Sequence, residues 1–134
     1  LNWATYMVDH DGKNFYPTND IWMTDGYGDY VRHYLRAMEA APQLAPGDAD
    51  HLLRTSSIVK TISYASDRIS YITFDPGSEE TFRLTTKPKE IKIGGDVLKE
   101  ASDLSSDQWT WQVLDKGGIL KIKKSKAPQV EIFK

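Results

Sequence analysis

Two hydrophobic periods run along this chain and divide it. From Asp29 the apolar positions are Tyr30, Val31, Tyr34, Leu35, Met38 and Ala41, the spacing of one helical face. Arg32, Arg36 and Glu39 fall on the other side. The pattern predicts a helix from Asp29 to Ala41, with a stripe broad enough to require a sheet or other helices beneath it. Asp29 suits the first turn, where the helix dipole favours an acid. Pro42 ends the helix, because it lacks an N–H and pushes Ala41 out of helical angles. Beyond Thr55 the period falls to two.

The strands predicted there are short. Ile58–Tyr64 alternates with Ile58, Ile62 and Tyr64 on one side, and Ala65–Arg68 turns the chain. Ile69–Phe74 is nearly all β-former, which predicts cover on both faces. Asp75-Pro76-Gly77-Ser78 is a turn, and the strand after it places Phe82 and Leu84 inward, with Thr81, Arg83 and Thr85 outward. Glu90–Ile93, Gly94-Gly95-Asp96 and Val97-Leu98 read as a tight hairpin. Trp109–Leu114, Ile119–Lys123 after Gly117-Gly118, and Gln129–Phe133 complete the set. Seven or eight such strands predict a mainly β fold, an antiparallel β-sandwich with an N-terminal helical appendage.

The boundary falls between Ala41 and Thr55, so residues 1–54 are an aromatic-rich lead and helix, and 55–134 the sandwich. Within the connector, Ala49–Leu53 predicts a short helical turn. In the lead, Trp3–Val8 predicts a strand. Asp9–Asn14 echoes a calcium loop, but Lys13 stands where a third oxygen ligand belongs, so a plain Asp-Gly turn is the better reading. Thr24-Asp25-Gly26-Tyr27-Gly28 predicts a glycine-bearing turn into the helix.

Composition narrows the function classes. The chain has 134 residues and a net charge of −2, which gives no electrostatic case for nucleic acid. No segment approaches the roughly 20 apolar residues of a membrane span. Cysteine is absent, so disulfides and thiolate metal sites are excluded. His10, His33 and His51 lack a short metal spacing, and no metal or other cofactor is expected. Neither a Gly-x-Ser-x-Gly elbow nor a phosphate loop occurs. The chain opens at Leu1 without an initiator methionine, which predicts a piece of a longer protein.

Lys87-Pro88-Lys89-Glu90-Ile91-Lys92-Ile93-Gly94-Gly95-Asp96-Val97-Leu98 resembles a passage of C-terminal β-sandwich domains in bacterial glycoside hydrolases. Trp109-Thr110-Trp111, Gly117–Ile122 and Val130–Ile132 resemble the closing strands of the same domains. The resemblance covers residues 55–134 as pattern. It implies a secreted or periplasmic parent enzyme in which the sandwich follows a barrel of α-hairpins. Asp20–Ala41 would be the last barrel helix with its entering loop. The family's catalytic carboxylates would lie in that barrel, so none is carried onto this chain.

Three functions compete. The first is a non-catalytic accessory domain packed on the catalytic domain of the same chain. Trp3, Tyr16, Trp22 and Tyr27 then belong to that interface. The second is a carbohydrate-binding module for an oligo- or polysaccharide. Trp109 and Trp111, two apart on a strand, share a face and could stack on sugar rings, although large aromatics are usually buried. Trp22, Asp25, Tyr27 and Asp29 likewise combine stacking surface with acceptors for sugar hydroxyls. The third is a small glycosidase using Asp25 and Asp29, with Asp20 and His33 nearby. For these acids, capping and solvation are the plainer roles.

Overall fold

A computed structural model describes residues 6–8, 15–17 and 24–134, with side chains from Tyr30 onward. The chain divides into two compact units, Leu1–Tyr34 and Leu35–Lys134. In the first, β1 (Tyr6–Val8) pairs antiparallel with β2 (Phe15–Pro17), Met7 opposite Tyr16. β1 is the described part of the expected Trp3–Val8 strand; the Asp9–Asn14 turn lies outside the described residues.

Helix α1 spans Thr24–Ala40, its last residues belonging to the second unit. It starts five residues before the predicted Asp29, so the expected turn at 24–28 is helical instead. Glycine costs a helix only about 1 kcal/mol relative to alanine, and Gly26 and Gly28 do not break this one. The predicted stop holds. Pro42 opens a separate 3-10 turn, Pro42–Leu44, which packs on two strands of the sandwich.

The second unit holds ten strands in two five-stranded sheets. Sheet 1 orders β3 (His51–Thr55), β6 (Ser78–Leu84), β11 (Gly118–Lys124), β10 (Gln108–Val113) and β9 (Lys99–Glu100). Sheet 2 orders β4 (Val59–Tyr64), β5 (Arg68–Thr73), β12 (Gln129–Phe133), β7 (Glu90–Ile93) and β8 (Asp96–Val97). Every pairing is antiparallel except the short β9–β10 contact. One core joins the two sheets. Phe82, Leu84, Leu120 and Ile122 of sheet 1 cluster with Ile69, Tyr71, Ile91, Val130 and Ile132 of sheet 2, all of them buried. Each such side chain contributes about 1.5–3 kcal/mol of burial, so this core accounts for a sandwich without disulfides.

Turns set the register. Gly94 and Gly95 both have positive φ, +56° and +98°, as the two-residue β7–β8 hairpin requires. Gly117, φ +64°, closes the β10–β11 hairpin, where a methyl group would lie 2.0 Å from the Leu84 carbonyl oxygen. Tyr64 ties the two sheets at one open side, its hydroxyl accepting a 3.0 Å bond from the Leu52 amide.

Three local expectations are corrected. Ala49–Leu53 is no helical turn: residues 51–53 enter β3, where a bulge between Leu52 and Arg54 lets both leucines pack. The 69–74 segment is covered on one face only, because Ile69, Tyr71 and Thr73 point into the core while Ile72 and Phe74 are exposed. Arg83, expected outward and wet, is outward but buried, because the connector after α1 folds over that face.

Candidate functional site

The residues singled out by sequence fall in two places. Trp22 and Asp20 lie outside the described residues. Asp25, Tyr27 and Asp29 occupy the first turns of α1. Further along, Tyr30, Val31, Tyr34 and Leu35 are 56%, 54%, 51% and 44% exposed, so this stretch of the stripe is not covered as expected. The last turn of α1 carries an ion pair between Glu39 and Arg54 of β3. The exposed apolar side chains lie along the helix before this paired last turn.

The two strand tryptophans do share a face, and it is the inner one. Trp109 pairs with Ile122 and Trp111 with Leu120, both core residues. Trp109 is 4% exposed, and its indole Nε1–H donates to the Leu98 carbonyl at 3.2 Å. Trp111 is half-buried against the same core, its ring lying over Gly118. A sugar needs the flat face of a ring, and Trp109 has none to offer.

A strip of buried polar groups runs between the sheets. Glu80 stands on the inner row of β6 with Phe82 and Leu84. Its carboxylate accepts from the Tyr71 hydroxyl at 3.0 Å and the Thr55 hydroxyl at 3.1 Å. Burial pushes the Tyr71 phenol well above its usual value, and the adjoining Glu80 charge and hydrogen bond push the same way. Nearby, the Lys124 ammonium donates to Thr73 Oγ1 at 2.8 Å and to the carbonyls of Pro76, Ala127 and Asp75 at 3.0, 3.2 and 3.3 Å. Burial lowers its pKa, against the opposing pull of the Glu80 and Asp75 charges. At the open end of the core, Lys134 donates to Asp50 at 2.8 Å. The Thr85 amide and hydroxyl also donate to Asp50, at 2.8 and 2.9 Å. Burial works to raise the Asp50 pKa, but these donors outweigh it and hold the carboxyl below its usual value.

This strip was partly within reach of sequence. Alternation from Phe82 and Leu84 puts Glu80 on the inner face, but nothing in the sequence names Tyr71 and Thr55 as its donors. Chemically the arrangement is closed. A 270 Å³ cleft is walled by Glu39, Arg54, Glu79, Glu80 and Lys121. Its acids are already engaged: Glu39 by Arg54, Glu79 by Lys123, and Glu80 by Thr55 and Tyr71. Among the described residues no group of three His, Asp or Glu side chains could hold a metal ion. None of the described helices is long and apolar enough to cross a membrane. No family model, curated protein or solved structure matches the chain.

Proposed function

We propose that this chain is a non-catalytic accessory domain of a secreted or periplasmic carbohydrate-processing enzyme. It docks on the catalytic domain of the same polypeptide through the apolar face of α1. The observation that carries this reading is the exposure of Val31, Tyr34 and Leu35, flanked by Tyr30, on a helix whose end is tied to a self-contained sandwich. A run of large apolar side chains of this kind marks an interaction surface. The link to carbohydrate rests on the resemblance of the strand and hairpin passages.

The inward-facing tryptophans favour this reading over a sugar-binding platform on β10. The engaged carboxylates of the sandwich favour it over an enzyme built within the second unit.

The test uses the purified chain and the full-length protein. The chain alone is expected to hydrolyse no aryl glycoside or polysaccharide. Hydrolysis abolished by Asp25→Asn would overturn the non-catalytic assignment. In the full-length protein, Tyr34→Asp combined with Leu35→Asp is expected to lower the melting temperature of the catalytic domain. In the chain alone, exposed substitutions of this kind should change stability by no more than about 0.5 kcal/mol each. Full-length melting that ignores the double variant would remove α1 from the interface.

A further inference from the structure

Sheet 2 ends on β4, which pairs on one side only, with β5. The bonds at the two ends of this pair fix which backbone groups it uses. The Ala65 amide donates to the Arg68 carbonyl at 2.8 Å, and the Phe74 amide donates to the Ile58 carbonyl at 2.7 Å. Antiparallel ladders alternate, so Ser63 bonds to Ser70 and Thr61 to Ile72. Ile62 and Tyr64 then turn their N–H and C=O groups away from β5. Among the described residues nothing pairs with those outward groups.

Ser63, Tyr64 and Ala65 are exposed, so this edge is open. The other sheet edges are blunter. β8 and β9 have two residues each. On β3 a bulge breaks the row, and the Tyr64 hydroxyl takes the Leu52 amide. On β4 a bulge between Val59 and Thr61, with the charge of Lys60, guards only the start of the strand. The half after the bulge carries a row of unpaired donors and acceptors, the template that recruits another strand.

We propose that this half of β4 pairs antiparallel with β4 of a second copy, about a two-fold axis at Ser63. The outward groups choose the register. Ile62 of each copy meets Tyr64 of the other, and each such pair exchanges two N–H···O bonds. Centring on Ile62 instead would set Tyr64 against Lys60, where the bulge breaks the row. The side chains suit the same register. A β-branched residue opposite an aromatic ring is a favourable cross-strand pair. On the outer face Ser63 meets its own copy and Thr61 meets Ala65, so nothing bulky or like-charged stands opposite. Lys60 falls near the Ser66-Asp67 turn of the other copy, which brings opposite charges together. Among the described residues neither Lys60 nor Asp67 has an ion-pair partner of its own. The proposal does not depend on the accessory-domain reading.

Cysteine cross-linking of the whole chain tests the register, since the chain has no cysteine of its own. Facing residues of a non-hydrogen-bonded antiparallel pair lie about 4.5 Å apart at Cα, within disulfide reach. Ser63→Cys should therefore oxidise to a covalent dimer. The two copies of Thr61 lie about 13 Å apart along the strands, so Thr61→Cys alone should stay monomeric. Thr61→Cys combined with Ala65→Cys should cross-link. Sedimentation velocity over a concentration series reads the unmodified contact. The native chain should dimerise reversibly. Ser63→Lys, which sets two cations across the axis, should abolish the dimer and leave the melting temperature of the dilute chain unchanged. Tyr34→Asp with Leu35→Asp should leave the dimer intact, because α1 takes no part in it. A native chain that stays monomeric throughout, or Thr61→Cys cross-linking as fast as Ser63→Cys, overturns the proposal. So does a dimer that survives Ser63→Lys or is lost in the α1 variant.

Discussion

Asp50 and Tyr71 shape the stability of this molecule from opposite ends of the pH scale. The Asp50 carboxyl titrates below its ordinary value in the folded chain, because the donors from Lys134 and Thr85 outweigh its burial. Its contribution is therefore full above the unfolded pKa of about 3.9 and is lost as pH falls through the folded value. Urea midpoints should drop on acidification in that window, and Asp50→Asn should flatten this part of the profile. At pH 7 the same substitution should cost about 1–3 kcal/mol, since it weakens a nearly buried pair. Tyr71 works the other way. Burial, then the Glu80 charge and hydrogen bond, raises its folded pKa, so its contribution is full below the unfolded pKa of about 10. It is lost as pH rises toward the folded value. Tyr71→Phe should remove this alkaline loss. Near neutrality it should destabilise by about 1–3 kcal/mol, because Glu80 loses a buried donor. Equal alkaline slopes in the two proteins would show that Tyr71 is not the group responsible.

At the scale of elements, the strands were legible because their period is two and their turns carry glycine and proline. Gln129–Phe133 is a strand with the predicted bounds, and the Gly94-Gly95 hairpin has the two positive φ angles its sequence implies. Leu84 is a direct check on the inner row of β6. Leu84→Ala should cost about 2–5 kcal/mol in urea unfolding; a loss below about 1 kcal/mol would place the wrong face inward. What alternation could not reveal was which faces the connecting segments cover. Arg83 reads as an outward, solvated position, yet the 42–47 segment and the Lys116 carbonyl enclose it. Ile72 and Phe74 read as buried β-formers but lie on a wet face. β3 escaped notice because its bulge breaks the period at Leu52 and Leu53. The start of α1 was obscured by Gly26 and Gly28, which mimic a turn but tolerate helical angles. Of the residues proposed for sugar contact, Trp109 and Trp111 were placed on one face correctly, but periodicity alone does not say whether that face is the core.

At the scale of the whole molecule, the two units differ in how they could be held together. The sandwich joins two sheets through one buried cluster, while the first unit has a short hairpin and the exposed part of α1. In the proposed function the sandwich folds on its own core, and α1 docks on a neighbouring catalytic domain. Amide hydrogen exchange read by mass spectrometry tests this most directly, comparing the 134-residue chain with the full-length protein. The strands of the sandwich should be protected to the same degree in both, since their core is internal. Peptides covering Tyr30–Met38 should exchange quickly in the chain and be protected in the full-length protein. Equal exchange of α1 in the two proteins would contradict docking through that helix, and sandwich strands that lose protection in the isolated chain would contradict its independence.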